Sequence, residues 1–139
     1  MLTVFFAILD TKSRTITYTC AGHEPPIISS VKNDTQDLEI SGMPLGIMKC
    51  ISFTQTKKEL NDGDLLVLYT DGISEARTSG KHLFGTNRIK EYIRNNRWLP
   101  EKEIASGLLE ESTAFAGGSL QDDAAIVVIS LDCAIKGTK

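Results

Sequence analysis

Between Leu65 and Tyr69 the chain runs through five apolar residues without a break. The run is too short for a stable helix and too apolar for a loop, so it predicts a strand buried on both faces. Asp71 and Gly72 follow it. A carboxylate at the end of such a strand stands at the edge of a packed sheet, and glycine lets the backbone turn away at once. A second apolar run, Ala124 to Ile129, is preceded by Asp122 and Asp123. If the two strands are antiparallel neighbours, Asp71 and Asp122 share one sheet edge. Carboxylates gathered there suit a hard divalent cation. Alternation alone leaves open which of Asp122 and Asp123 faces inward.

Shorter patterns fill the rest of the chain. Residues 2–9 and the β-branched stretch 14–20 read as the two arms of a hairpin, with a turn at 10–13. Residues 21–26 form a loop, because Pro25 and Pro26 forbid helix. Ile27 and Ile28 begin a short strand, 31–37 is turn-like, 38–40 is a candidate strand and 41–46 a second structured loop. Residues 50–58 read as strand and Asn61–Asp64 as a tight turn. Ile89, Tyr92 and Ile93 place a helix over 84–96. Pro100, Glu101 and Glu103 suit the start of another, with Ile104, Ala105, Leu108 and Leu109 as its apolar stripe and Gly117–Gly118 as its end. The final strand spans roughly 124–131, with a frayed tail beyond Leu131. Hairpins, then two helices, then one strand describe an α+β fold with mostly antiparallel sheet, in a single domain over 1–139.

Composition narrows the function classes. The chain has 139 residues, 41% hydrophobic and 24% charged, which suffices for one domain with a real core. A net charge of −3 gives no general attraction to nucleic acid or anionic membranes. The apolar run Val4–Leu9 is far short of a membrane span and lacks the flanks of a signal peptide. Three cysteines, Cys20, Cys50 and Cys133, are odd in number and without CxxC spacing. They predict reduced thiols in a cytoplasmic protein, two of them in or beside strands as small core residues.

Other polar groups carry less. His23-Glu24 is followed by Pro25-Pro26, so the helical HExxH zinc pattern fails, and a hydrogen-bonded structural histidine is the plainer account. His82 lies in a polar loop. Neither Asp34–Asp37 nor Asn61–Asp64 has the spacing of a calcium-binding EF-hand loop, and both read as turns. Ser74 is not in a nucleophile elbow. Arg88, Lys90, Arg94 and Arg97, interrupted by Glu91, make a solvated face or a phosphate-facing surface. Trp98 and Phe115 flank the second helix as expected core residues.

Six motifs, in order, resemble the SpoIIE/RsbU branch of the PPM-type (type 2C) metal-dependent serine/threonine phosphatases. They are Thr3–Asp10, Ala21–Pro26, Gly42–Gly46, Gly63–Glu75, Phe84–Arg88 and Gln121–Ala125. The resemblance implies a largely antiparallel β-sandwich flanked by helices, with a pair of Mn²⁺ or Mg²⁺ ions held by aspartates at one end. It makes Asp71 and Asp122 metal ligands, with Asp123 and Gly72 in support. The Gly-Gly-Asp segment with which family domains begin, whose aspartate bridges the metals, does not occur before Leu2. The chain therefore resembles the C-terminal part of such a domain, lacking the N-terminal strands. The Val4–Leu9 strand would then have an open edge, favouring homodimerisation, strand exchange or aggregation.

What the resemblance implies chemically is hydrolysis of phosphoserine or phosphothreonine by a metal-activated water, with no covalent phosphoenzyme. The implied substrate is a bacterial signalling phosphoprotein such as a STAS-domain anti-anti-sigma factor. A different reading is an inactive fragment or pseudophosphatase that acts through protein contacts. A third is a calcium-stabilised sandwich using Asp34, Asp37, Asp62 and Asp64.

Overall fold

The computed structural model describes residues 1–132. The tail beyond Asp132, with Cys133, lies outside the described residues. Ten elements follow in order: β1 (Val4–Asp10), β2 (Thr15–Ala21), β3 (Ile27–Ser29), β4 (Thr35–Asp37), β5 (Thr56–Glu59), β6 (Leu65–Tyr69), α1 (Asp71–Ser74), α2 (Gly85–Asn96), α3 (Glu101–Phe115) and β7 (Ile126–Ser130). All strand pairs are antiparallel. An outer sheet has the order β1-β2-β5 and an inner sheet the order β4-β3-β6-β7.

Strand alternation distributes the core into two layers. Ile16 and Tyr18 of β2 pack with Ile28 of β3 and Leu66 of β6 between the two sheets, joined by Leu38, Leu60 and Leu131. Ile27, Val67 and Tyr69 point the other way, onto Ile73, Phe84, Ile89, Ile93 and Leu108 from the helical side. The inner sheet is thus covered on both faces, which explains the unbroken apolar run of β6. In α3 the buried stripe is Ile104, Leu108 and Ser112, four residues apart, whereas Leu109 is largely exposed. The helix starts after Pro100 and stops before Gly117 and Gly118, both at positive φ.

Several expectations change. Residues 38–40 are not a strand; the strand is β4, at 35–37, opposite Ile27–Ser29. Leu38 instead turns its buried side chain into the inter-sheet core while its N–H donates to the Pro26 carbonyl at 2.8 Å. Of the expected 50–58 strand only 56–58 pairs, as part of β5 (Thr56–Glu59), whose register against β2 ends at Tyr18–Thr56. Cys20 is buried in β2, but Cys50 is exposed in irregular chain. Trp98 is 73% exposed rather than core. It lies in the α2–α3 turn beside a cavity of about 500 Å³, while Phe115 packs edge-on against Phe84. Among the described residues, no helix is long and apolar enough to cross a membrane.

Candidate functional site

The pairing of β6 with β7 decides where the acids go. Tyr69 lies opposite Ile126, so Asp71 just past one strand and Asp122–Asp123 just before the other emerge at the same end of the inner sheet. Thr70 stitches the two segments together. Its N–H donates to the Ala125 carbonyl at 3.1 Å, and its Oγ1 accepts the Ala125 N–H at 3.0 Å. The same hydroxyl donates to the Asp123 carbonyl at 3.3 Å. Asp71, Asp122 and Asp123 are all exposed at this edge. The Asp122 carboxylate accepts the Asp123 N–H at 2.8 Å, which turns the tip of the acidic pair.

Gly72 has a different task from the turning expected of it. It lies inside α1, without a positive φ. A Cβ there would overlap the carbonyl oxygen of Asp123 and press on that of Asp122. Glycine is needed because the start of α1 passes directly against the backbone of the acidic pair, and that close approach sets Asp71 beside it.

Glu24, assigned no role in the sequence, joins this edge. A cleft of about 70 Å³ is lined by Thr3, Gly22, His23, Glu24, Thr70 and Asp71. Burial pushes the Glu24 carboxyl above its usual range, and the charges of Asp71 and Glu75 push it further, against a smaller opposing pull from His23. The loop reaches the site through its packing on residues 41–46. The Gly22 N–H donates to the Gly42 carbonyl at 3.1 Å, and a Cβ on Gly22, at φ +67, would strike the Pro44 ring. His23 Nδ1 lies 2.9 Å from the Glu24 carbonyl oxygen, consistent with a structural imidazole. The only sequence signal for Glu24 was its neighbour His23 in a proline-locked loop; its approach to Asp71 is made by tertiary packing.

The helix α2 cations do not reach this edge. Lys90 pairs with Asp37 at 2.7 Å, and Arg94 donates to the Thr35 hydroxyl at 2.9 Å, tying α2 to the inner sheet. Arg97 donates to the Gly63 carbonyl at 2.8 Å. Arg88 donates to the Leu83 and Phe84 carbonyls and stacks 4.6 Å over the Phe115 ring. Three of the four acids of the calcium reading are committed elsewhere as well: Asp37 to Lys90, Asp62 to Arg14 at 3.5 Å, and buried Asp64 to the Asn61 N–H at 2.8 Å.

Exposed carboxylates at a rigid edge fit the donor chemistry of Mn²⁺ or Mg²⁺. Among the described residues, however, no group of three or more acidic, histidine or cysteine side chains stands close enough to enclose an ion.

The profile of the family described as Stage II sporulation protein E (SpoIIE) matches residues 1–132. Protein IcfG of Synechocystis sp. is 30% identical over 128 residues, 91% of this chain and 20% of the relative. Phosphoserine phosphatase RsbU of Bacillus subtilis is 30% identical over 129 residues, 92% of this chain and 38% of the relative. The phosphatase domain of SpoIIE from Bacillus subtilis, presoaked with Mn, superposes with a TM-score of 0.77 at 24% identity, over 99% of this chain and 58% of that one. The chain therefore spans well under half the length of these curated relatives and somewhat over half of that solved domain. With residues 1–132 of the chain matched by the profile and the sandwich shared, the chain belongs to the SpoIIE/RsbU branch of the PPM-type phosphatases.

Proposed function

We propose that this chain is part of a metal-dependent protein serine/threonine phosphatase domain that hydrolyses phosphoserine or phosphothreonine on a bacterial signalling protein. The observation that carries the reading is the β6–β7 register, which sets Asp71 and Asp122 on one edge with Gly72 pressed against the acidic pair. Asp71 and Asp122 would hold Mn²⁺ or Mg²⁺, with Asp123 fixing the loop tip. The remaining donors would come from the part of such a domain that this chain does not span. When bound, the ions would supply Lewis-acid activation of water and neutralise the phosphoryl oxygens. The protein's own part is to hold the two carboxylates on a stiff strand end and to keep Thr70 and Gly72 locked against Asp123.

A STAS-domain anti-anti-sigma factor is the substrate we favour, from the likeness to RsbU. A cytoplasmic setting fits Cys20 and Cys50, which form no disulfide among the described residues. A second copy pairing along the β1 edge would give a homodimer. The incomplete donor set also supports a second reading, an inactive phosphatase-like module acting through protein contacts.

The test is p-nitrophenyl phosphate hydrolysis with Mn²⁺, comparing this chain, the same chain joined to the remaining strands of a relative's domain, and Asp71→Asn in both. Turnover in the joined protein that falls by at least about a hundredfold with Asp71→Asn supports the phosphatase. If neither this substrate nor a phosphoserine peptide is turned over, the protein-contact reading takes its place.

A further inference from the structure

The edge that carries Asp71, Asp122 and Asp123, with Glu24 and Glu75 behind it, is crowded with negative charge. Metal ions held there would offset part of that charge, and a cation of the protein beside them would add a direct hold on the oxygens of a phosphate monoester. Helix α2 cannot provide one, since its basic side chains are bound to the fold. Arg77 is differently placed. Its main chain is gripped on both sides by one side chain: the Arg77 N–H donates to Gln121 Oε1 at 3.2 Å, and Gln121 Nε2 donates to the Arg77 carbonyl at 3.3 Å. Gln121 directly precedes Asp122. The Arg77 backbone is therefore fixed beside the acidic pair.

The Arg77 side chain is exposed. Among the described residues it makes no hydrogen bond and no ion pair, in contrast with Arg14, Arg88, Arg94 and Arg97. A bridge to Leu83 closes the turn that follows, with Lys81 at φ +65, and exposed Lys81 and His82 add to the positive character of the turn. A guanidinium presents two parallel N–H donors to a phosphoryl group, a match that lysine lacks.

Resting on the phosphatase reading above, we propose that Arg77 is the phosphoryl-binding residue of this edge. It receives oxygens of the phosphoserine or phosphothreonine side chain, and Gln121 is the positioning residue that holds it there.

The test is calorimetric titration with Mn²⁺ and then with inorganic phosphate of this chain joined to the remaining strands of a relative's domain, unsubstituted and as Arg77→Ala, Arg77→Lys, Gln121→Ala and Asp71→Asn. The expected result is that Arg77→Ala weakens phosphate binding about tenfold or more while Mn²⁺ affinity stays unchanged. Arg77→Lys should restore part of the loss, and Gln121→Ala should cost less than Arg77→Ala because the charge remains. Undiminished phosphate affinity in Arg77→Ala overturns the proposal, as does an unsubstituted joined protein that binds Mn²⁺ through Asp71 but no phosphate. A joined protein that binds neither Mn²⁺ nor phosphate removes the proposal together with the metal reading beneath it.

Discussion

The two sheets of this sandwich are built from similar residues and live in different surroundings. The inner sheet is covered on one face by the outer sheet and on the other by helices, and its central strand β6 is almost wholly buried. The outer sheet buries one face only. Along β1, Phe5 and Leu9 point inward, while Phe6 and Ile8 are 60% and 62% exposed. β1 is also an edge strand, with no partner beyond β2 among the described residues. The acids stand at the end of the doubly covered sheet. The proposed metal-binding edge thus belongs to the covered layer, and the open apolar surface lies on the other.

Core truncation should separate the layers most sharply. Leu108 is fully buried in the helical layer, and Leu108→Ala is expected to cost about 2–5 kcal/mol in denaturant titration. Ile8→Ala, on the bare face, should cost less than about 0.5 kcal/mol. A comparable loss at both positions would mean that the outer face is covered in solution.

Gly72→Ala comes next. The added methyl must displace the Asp123 carbonyl, so about 1–3 kcal/mol of stability should be lost. Mn²⁺ affinity should fall with it, because the displaced segment carries Asp122. Retained stability with unchanged metal binding would show that the strand ends are looser than their packing indicates.

How far these layers were legible in the sequence follows from the same contrast. β6, α2 and α3 announced themselves because a buried strand and an amphipathic helix impose their own periodicity. Asp71 and Asp122 could be placed on one edge from the ends of two apolar runs on the condition that the two strands are antiparallel neighbours, which the β6–β7 pairing meets. Strand β4 could not, since Thr35-Gln36-Asp37 owes its conformation to pairing with Ile27–Ser29 and not to its residue types. Trp98 misled because size suggests burial, but the α2–α3 turn projects it outward. Glu24 and Arg77 were silent for a related reason. Each reaches the acidic edge through a contact distant in sequence, Glu24 beside Asp71 and Arg77 on Gln121.

A smaller effect probes the open face. Phe6→Lys places a charge on an exposed apolar edge strand, a usual guard against edge-to-edge pairing. Stability should change by no more than about 0.5 kcal/mol. Sedimentation should show less self-association than for the unsubstituted chain; equal association would move the contact away from β1.

The finest discrimination concerns Glu24, the half-buried acid at this edge. Burial and the charges of Asp71 and Glu75 raise its pKa in the fold above the ordinary 4.5. Below that value the group is protonated both folded and unfolded and has no effect on the balance. As pH rises from there through the raised value, the unfolded chain gives up its proton first, so stability falls. Above the raised value the loss is constant. Glu24→Gln removes the charge and should raise the melting temperature of the chelator-treated protein at pH 7, with the gain fading toward pH 4. An advantage that persisted unchanged at pH 4 would assign the effect to packing, and the charge crowding at this edge would have to come from Asp71 and Glu75 without Glu24.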